Sequence, residues 1–462
     1  MTIDEWKTQQ TQKKASGYAH FDYRVNLETC WKYISDPDNV AKHGFYPYIH
    51  YEALSRRIKA GKKADPKPRQ IYYAAHIDSW IYRYYSYLLN EKYNSLVGKL
   101  GLSDVAIAYR TDLGLNNIDF AKEAFSFIRE VENCYVIIGD FTNFFDMLDH
   151  AYLKQRICSL LEVDKLPSDH YAVYKSATKF SFVELNKLLD LNNLSTSDKD
   201  RKKLNKKQRA ISLSKFRELK SDIVEPHNKS YGTPQGSAIS STFANIYMLE
   251  ADKEINDFVL SQNGKYMRYS DDFIAIFPGS DTDTFLTQYQ KVTNIINDVP
   301  GLILQGEKTK IFQVSRSVVN NLSSMYIPNA TSTKASIDFL GFSFDGSSVT
   351  IRDKTISKYY HRLYRKAKTI TDNGGVLPSG KRISGKRLYE NYSFKGTNAY
   401  QHRHPESSQS SKHKRVYKGN FLDYVIRAKK QFPHDPIDKS TKKHMQKIQR
   451  YLSENMHSKQ DK

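Results

Sequence analysis

The sequence predicts an α+β fold, and three stretches of it support that prediction. Residues 134–140, CYVIIGD, are a short apolar run typical of a buried strand. Residues 266–277, YMRYSDDFIAIF, have the pattern of a strand, a tight turn and a second strand. Between them, residues 240–259 have apolar side chains at helical spacing, namely Phe243, Tyr247, Ala251, Ile255 and Phe258. We therefore expect helices packed on an antiparallel sheet.

Length and composition indicate a globular protein with a substantial core. The chain has 462 residues, enough for roughly three domains of about 150 residues, and 39% of them are hydrophobic. The segment MTIDEWKTQQTQKK lacks a signal-peptide core, and apolar runs such as YVII are too short to span a bilayer. We expect a cytoplasmic protein without a membrane partner. The three cysteines are widely spaced, which indicates neither a disulfide framework nor a cysteine-based zinc site.

The positive charge is concentrated near the C-terminus. The net charge of the chain is +21, and residues 351–462 contain 27 Lys and Arg against 9 Asp and Glu, a net charge of +18. Such asymmetry predicts a polyanionic partner for this region, although a solvated basic surface would have the same composition. A polar, Lys- and Arg-rich insert at 194–209 has the pattern of an exposed loop or helix end that touches nucleic acid.

Residues 354–370 within this basic region have the pattern of an amphipathic helix. One face would contain Ile356, Tyr360, Leu363, Ala367 and Ile370, and cations cover much of the remainder. A basic helix of this kind suits contact with a phosphate backbone. The candidate nucleic-acid-binding residues are Arg362, Arg365 and Lys366 on this helix and Lys412, Lys414 and Arg415 beyond it.

The adjacent carboxylates Asp271 and Asp272 pose a physical question, because two neighbouring anions repel each other. Asp favours turns, so a pair of aspartates in a turn has an ordinary structural explanation. Asp140, at the end of its apolar strand, could join them at one edge of a sheet. Such carboxylates can bind divalent cations. Two of these cations, about 3.5 to 4 Å from each other, can hold the attacking and leaving oxygens of a phosphoryl transfer.

Five blocks of sequence decide between these explanations. They are IIGDFTNFFDMLDH at 137–150, YGTPQGSAISSTFANIYM at 231–248, MRYSDDFIAIF at 267–277, GLILQGEKTKIF at 301–312 and DFLGFSF at 338–344, with a weaker block, KPRQIYYAAHIDSWIY, at 67–82. In content and order they resemble the reverse transcriptases. The resemblance implies a right-hand polymerase with an N-terminal helical extension at 1–60, fingers and palm at 61–345, and an α-helical basic thumb or RNA-binding region at 346–462.

The resemblance also implies the catalytic residues and the cofactor. Asp140 and Asp271 match the principal metal ligands of the palm, and Asp272 matches the neighbouring acid. The family uses two Mg²⁺ ions, with Mn²⁺ as an alternative, to add dNTPs to a 3′ end on an RNA template. Lys308 matches a basic residue near the triphosphate and is a candidate proton donor to the pyrophosphate leaving group.

Further residues match the family's nucleotide and primer contacts. Gln235, Gly236 and Ser237 correspond to a loop that packs against the incoming nucleotide and template base, and Tyr269 to a residue near the primer end. LGF at 340–342 matches the hairpin that grips the primer. Arg69, in a degenerate block, is a candidate contact to the triphosphate.

Phe145 matches the position whose ring lies under the sugar in this family. A bulky ring there would clash with a 2′-hydroxyl and so favour deoxynucleotides, whereas the alternative is a plain core residue beside Phe144. The sequence departs from the family at Ser270, where Ala or Met is frequent, and at Ser241, where many bacterial members have Pro.

Within the family, the chain looks most similar to the free-standing bacterial abortive-infection and defence-associated reverse transcriptases. That resemblance implies antiphage defence with a cognate noncoding RNA, a DNA product and, in some relatives, homo-oligomers. The alternatives are a retron-type or intron-derived reverse transcriptase, a maturase-like RNA-binding protein, and an RNA-dependent RNA polymerase. NAYQH at 398–402 lies after the palm rather than before Asp140, where a retron enzyme would have a similar block.

Overall fold

The computed structural model describes residues 1–12, 17–59, 62–110, 112–328, 330, 333–376, 385–403 and 419–457. Of the residues in those ranges, 52% are helical and 16% are in strands, and the α+β prediction is confirmed. Within those ranges, no helix has both the length and the apolar character that a bilayer span requires.

The described strands are β1 (Tyr48–Lys59), β2 (Lys62–Tyr73), β3 (Asn133–Asp140), β4 (Ser181–Glu184), β5 (Val224–Pro226), β6 (Lys265–Tyr269), β7 (Asp272–Pro278), β8 (Lys310–Ser315), β9 (Val318–Asn321), β10 (Ile337–Phe339), β11 (Phe342–Phe344) and β12 (Val349–Ile351).

The described helices are α1 (Ile3–Thr11), α2 (Leu27–Ile34), α3 (Pro37–Ala41), α4 (His76–Lys99), α5 (Asn117–Val131), α6 (Phe144–Met147), α7 (His150–Leu161), α8 (Ser168–Thr178), α9 (Leu185–Asp190), α10 (Asp198–Leu204), α11 (Leu213–Ile223), α12 (Ala238–Ser261), α13 (Thr282–Asn297), α14 (Ser323–Tyr326), α15 (Asp353–Asp372), α16 (Lys386–Tyr392), α17 (Asn398–Arg403), α18 (Phe421–Gln431) and α19 (His444–His457). A 3₁₀ turn covers Phe394–Gly396.

The chain divides into two compact units. The first comprises Met1–Gly114, Gly139–Phe273 and Thr282–Thr309, and the second comprises Leu115–Ile138, Ile274–Asp281 and Lys310–Lys462. The division falls within β3 and within β7. The expected ranges 1–60, 61–345 and 346–462 stay a prediction. The first sixty residues contain, besides α1 to α3, the strand β1 of a hairpin.

The first unit contains a four-stranded sheet in the order β2-β1-β4-β5. β1 pairs antiparallel with β2 and parallel with β4, where His50 lies opposite Glu184. Ile49 and Val183 belong to the buried core on one face of this sheet. The long helices α4 and α12 are linked by the hydroxyls of Ser86 and Thr242, which lie 2.6 Å apart.

In the second unit the strands β7, β3, β8 and β9 lie side by side in that order, and β10-β11-β12 form a separate antiparallel sheet. The helix predicted for residues 354–370 is confirmed as α15. Its buried residues include all five of the predicted apolar face, Ile356, Tyr360, Leu363, Ala367 and Ile370.

Candidate active site

The backbones that carry the predicted catalytic aspartates are directly hydrogen-bonded to each other. β3 ends at Asp140, and the next amide, Phe141 N, donates to the carbonyl of Asp271 at 3.1 Å. The carbonyl of Asp140 accepts from Gln305 N at 2.8 Å. The turn after β6 consists of Ser270 and Asp271, and Asp272 is the first residue of β7 rather than a turn residue. The site is therefore fixed by main-chain bonds.

A buried ion pair holds this turn in place. Arg268 is fully buried, and its guanidinium contacts the carboxylate of Asp252, with the shortest distance 2.6 Å. The same guanidinium donates to the carbonyl of Ser270 at 2.9 Å. Ser270 has a φ of 63°, in the left-handed region that side-chain-bearing residues seldom adopt. A buried charge that is paired and hydrogen-bonded in this way ties the conformation of the turn to the core of the unit.

The three carboxylates interact electrostatically. Desolvation by neighbouring protein atoms, the negative charges of Asp271 and Asp140, and a hydrogen bond with Asp140 raise the pKa of Asp272 to about 7. Because Asp272 is exposed, we attribute its raised pKa mainly to the charges of Asp271 and Asp140 rather than to desolvation. Lys308 Nζ lies 2.6 Å from Asp140 Oδ1 and partly compensates this negative charge. The site thus concentrates anions that an additional cation would stabilise.

The donor chemistry of this site fits a hard divalent cation. Carboxylate oxygens are the ligands that Mg²⁺ prefers, and Mg²⁺ commonly binds through only one or two carboxylates, several waters and substrate phosphates. Among the residues that the structure describes, no three or more Asp, Glu, His or Cys side chains are arranged as a ready-made metal site. Carboxylate donors such as these fit an ion whose other ligands are water and substrate phosphates.

Gly139 allows the two strands to approach each other closely next to the aspartates. A Cβ atom at this position would lie 2.1 Å from Cε1 of Phe273. Phe273 is fully buried and follows Asp272 directly. A side chain at residue 139 would displace that ring, and with it the start of β7.

Phe145 lies in the short helix α6 and is half-buried. Its ring contacts that of Phe144, with centroids 5.5 Å apart, and that of Tyr109 edge to face, with centroids 6.5 Å apart. Tyr109 is 45% exposed, and its Oη lies 2.9 Å from Ser270 Oγ. Tyr109 therefore connects the predicted sugar-contacting ring to the aspartate turn.

The loop containing Gln235 and Gly236 is attached to two neighbouring elements. Tyr72 N on β2 donates to the carbonyl of Gln235 at 2.8 Å, and Gln235 Nε2 lies 3.3 Å from both carboxylate oxygens of Asp146 on α6. Gly236 has a φ of 112°, and a Cβ there would lie 2.5 Å from the carbonyl oxygen of Tyr72. Position 236 therefore requires glycine, because its backbone has a positive φ and because a Cβ atom would clash with Tyr72. Ser237 is buried at the N-cap of α12.

Two further predicted contacts lie in the same unit. Arg69 is exposed on β2, three residues before Tyr72, and Tyr269 is the half-buried last residue of β6. The structure thus brings together Asp140, Asp271, Asp272 and Lys308 by direct interactions. The roles predicted for Phe145, Gln235, Gly236, Tyr269 and Arg69 stay predictions.

The predicted primer and RNA contacts that the structure describes lie in the second unit. Leu340 and Gly341 form the turn between β10 and β11, and the carbonyl of Leu340 accepts from Asn117 Nδ2 at 2.9 Å. On α15, Arg362 and Arg365 are exposed and Lys366 is half-buried. The predicted residues Lys412, Lys414 and Arg415 lie outside the described residues.

Sequence reasoning missed four residues that position this site: Tyr109, Asp146, Asp252 and Arg268. Arg268 could have been suspected, because it follows two apolar residues within a strand and a buried arginine needs an anionic partner. Tyr109 gave no such signal, since it lies in an irregular segment between α4 and α5. Backbone bonds from Ile107 N to the carbonyl of Arg268 at 3.0 Å, and from Arg268 N to that of Val105 at 2.7 Å, bring this segment to the turn.

The comparisons with known proteins agree with the sequence blocks. Residues 116–344, just under half of the chain, match the family model described as reverse transcriptase (RNA-dependent DNA polymerase). No curated protein matches the chain.

Solved structures of two yeast telomerases are similar to the chain. Apo telomerase from Candida tropicalis, truncated from its C-terminal domain, has a TM-score of 0.40 and 13% identity, over 70% of this chain and 60% of that one. Telomerase from Candida albicans, in complex with the TWJ fragment of telomeric RNA, has a TM-score of 0.36 and 15% identity, over 94% of this chain and 65% of that one. The chain therefore spans less than two thirds of the length of either telomerase chain.

Proposed function

We propose that this chain copies RNA into DNA by adding dNTPs to a 3′ end, because residues 116–344 match the family model described as reverse transcriptase (RNA-dependent DNA polymerase). The reaction is a nucleotidyl transfer in which the 3′-hydroxyl attacks the α-phosphate of the dNTP and pyrophosphate leaves. We assign its chemistry to Asp140, Asp271 and Asp272.

The single observation that carries this proposal is the convergence of the three carboxylates. Asp140 and Asp271 belong to segments joined by the hydrogen bond between Phe141 N and the carbonyl of Asp271. Desolvation and the negative charges of Asp271 and Asp140 raise the pKa of Asp272. Folding places these anions together although their mutual repulsion opposes it. Such an arrangement is expected where a bound cation is part of the working site.

We propose Mg²⁺ as that cation, with Asp140 and Asp271 as its main protein ligands and Asp272 as the neighbouring acid. When bound, two such ions neutralise charge on the reacting phosphate and on the attacking and leaving oxygens. The chain itself contributes Lys308, whose ammonium lies next to Asp140 and could move to the leaving pyrophosphate as a proton donor.

Selection of deoxynucleotides is assigned to Phe145. Its ring is half-buried and is braced by Phe144 and Tyr109, so it cannot easily move away from a bulky substrate. A fixed ring under the sugar excludes a 2′-hydroxyl by steric repulsion. Gln235 and Gly236 would form the opposite wall of the nucleotide site, with Tyr269 near the primer end and Arg69 near the triphosphate.

The proposed activity is tested with purified protein, Mg²⁺ and a primer annealed to an RNA template, with either dNTPs or NTPs. We expect extension with dNTPs and loss of extension when EDTA removes the metal. Extension with NTPs in preference to dNTPs would identify an RNA-dependent RNA polymerase instead. RNA binding without extension would favour a maturase-like protein.

We further propose that the enzyme acts in antiphage defence in the cytoplasm, with a cognate noncoding RNA as template or scaffold. This proposal is based on the resemblance to defence-associated bacterial enzymes and on the net charge of +18 in residues 351–462. Phage should form fewer plaques on cells that express the wild-type protein than on cells that express Asp271→Asn. The protein should also copurify with one dominant RNA species. Equal plaque counts, or a random mixture of host transcripts, would contradict this part of the proposal.

A further inference from the structure

A polar cavity lies in the first unit, and its wall contains none of the residues assigned to the polymerase site. Its volume is about 410 Å³, within the range of roughly 300–1,000 Å³ that ligand pockets occupy. The walls include His50, Tyr51 and Glu52 of β1, Glu184 and Asn186 near the end of β4, and Arg201 of α10.

The cavity forms because β4 is shorter than β1. The last paired residues of the two strands are Glu184 and His50, and β1 continues to Lys59. Within the described part of the chain, no strand covers that side of β1 from Tyr51 onwards. Arg201 on α10, in the basic insert, provides the facing wall. Polar side chains from β1, from the end of β4 and from α10 therefore line one recess.

A chain of hydrogen bonds fixes the two carboxylates of the cavity. Gln70 Nε2 donates to Glu52 Oε1 at 2.8 Å, and Gln70 Oε1 lies 2.5 Å from His50 Nε2. His50 Nδ1 lies 2.6 Å from Glu184 Oε1. Both ring nitrogens of His50 therefore face oxygen atoms, one of Gln70 and one of Glu184. His50 is 6% exposed, so this buried ring positions Glu184 directly and Glu52 through Gln70.

Arg201 supplies a donor on the other wall. Its Nε is buried and has no hydrogen-bond partner among the described residues, which is costly for a charged group. Its guanidinium carbon lies 5.8 Å from the centre of the Tyr51 ring. The same helix exposes Lys199, Lys202 and Lys203 to solvent. The cavity thus has two positioned acceptors and the guanidinium of Arg201 on its walls, next to a surface that attracts phosphates.

We propose that this cavity binds an unpaired guanine of single-stranded RNA, with the flanking phosphates on the cations of α10. Guanine donates through N1–H and its amino group, which suits the carboxylates of Glu52 and Glu184, and accepts at O6 and N7, which suits Arg201. RNA-binding proteins commonly read splayed-out bases of single strands by hydrogen bonds to their edges and by stacking on arginine or aromatic planes. This inference does not depend on the proposed catalytic function.

The test measures the binding of short labelled RNAs by fluorescence anisotropy, without dNTPs or Mg²⁺. The probes are a nine-residue oligouridine and versions with a single central G, A or C. We expect the wild-type protein to bind the G-containing probe roughly tenfold more tightly than the others. Free GTP should compete more weakly than this probe, because it lacks the flanking phosphates.

Three variants separate base recognition from general charge attraction. Glu52→Gln removes a negative charge, so simple electrostatics predicts tighter binding of every probe, whereas the cavity predicts loss of the preference for G. Arg201→Gln should also lose this preference. Lys199→Gln is the matched control, because Lys199 lies on the same helix but outside the cavity wall. This variant should lower the affinity for all four probes equally and keep the preference for G.

Equal affinity of the wild-type protein for all four probes would overturn the proposal. So would a preference for G that survives in Glu52→Gln, or tighter binding of GTP than of the G-containing probe. Glu52 is exposed, so this variant remains informative even if Arg201→Gln fails to fold. Repeating the titration in the Asp140→Asn protein separates the two proposals, since the preference for G should persist there whether or not the enzyme polymerises.

Discussion

The aspartate site and the basic helix α15 both depend on charged side chains, but the chain positions these charges in different ways. Asp140 and Asp271 lie in segments joined by a main-chain hydrogen bond, and the buried Arg268 holds the turn that contains Asp271. Arg362 and Arg365 are exposed to solvent on one face of a helix. We therefore expect the first region to depend on precise geometry and the second region to depend mainly on the number of its charges.

The largest effect is expected from Asp271→Asn, which keeps the size of the side chain and removes one charge from the site. Loss of transition-state stabilisation should lower the rate of dNTP addition by about 10³-fold or more, while RNA affinity changes little. Single-turnover primer extension measures the rate, and thermal unfolding checks the fold. The exposed residue Asp164 provides a charge-matched control, Asp164→Asn, which should keep the wild-type rate.

Arg268→Met should lower the stability of the fold, because it leaves the carboxylate of Asp252 buried without its partner. The expected loss is about 3–5 kcal/mol in the free energy of unfolding. The same substitution at an exposed position of α15, Arg365→Met, should lower the free energy of unfolding by no more than about 0.5 kcal/mol. Chemical denaturation of both variants sharpens the contrast, and equal losses would contradict it.

Phe145→Val should change which nucleotide is used rather than how tightly RNA is bound. Removing the ring opens space for a 2′-hydroxyl, so the ratio of kcat/KM for NTPs to that for dNTPs should rise by roughly 10–100-fold. Steady-state incorporation of matched nucleotide pairs measures this ratio. An unchanged ratio would mean that the ring only packs against Phe144 and Tyr109.

Replacing Arg362, Arg365 and Lys366 of α15 together by Gln should weaken RNA binding in a graded way. Each neutralised phosphate contributes about 0.7 to the slope of log affinity against log salt for a single strand, so the slope should fall by about 2. A salt titration of RNA binding by the wild-type and triple-variant proteins tests this directly. A slope that does not change would exclude these cations as phosphate contacts.

The smallest effect is expected from Tyr109→Phe, which keeps the ring against Phe145 but removes the hydrogen bond to Ser270. A lost hydrogen bond of this kind is worth about 1 kcal/mol, or roughly a fivefold decrease in kcat. Ser270→Ala should have a similar effect, and the double variant should be no slower than either single one. Additive losses in this double-mutant cycle would show that the two hydroxyls act independently.

The sequence predicted the parts of the site that depend on local pattern. Asp140 at the end of an apolar strand, a turn between two strands at Asp271 and the apolar face of α15 follow from periodicity and from turn preferences, although the turn was expected to include Asp272 as well. The blocks resembling reverse transcriptases then indicated which aspartates belong together. The strand end, the turn and the helix face can be predicted because each involves residues close together in the sequence.

The remainder of the site depends on contacts between residues far apart in the sequence, which no local pattern encodes. Tyr109 reaches Ser270 only because its irregular segment pairs with β6, and Asp146 meets Gln235 only after α6 packs on the loop. The cavity beside His50 results from the unequal lengths of two paired strands. Sequence reasoning therefore identifies the charged groups more readily than the residues that hold them.

One experiment tests the contrast between the two regions most directly. Single-nucleotide addition is followed over a range of RNA template concentrations for the wild-type protein, Asp140→Asn and the triple Gln variant of α15. We predict that Asp140→Asn abolishes turnover at every template concentration and keeps wild-type RNA affinity, whereas the triple variant reaches wild-type turnover at saturating template but needs more of it. Incorporation by Asp140→Asn at the wild-type rate would contradict the assignment of the aspartates as the catalytic site.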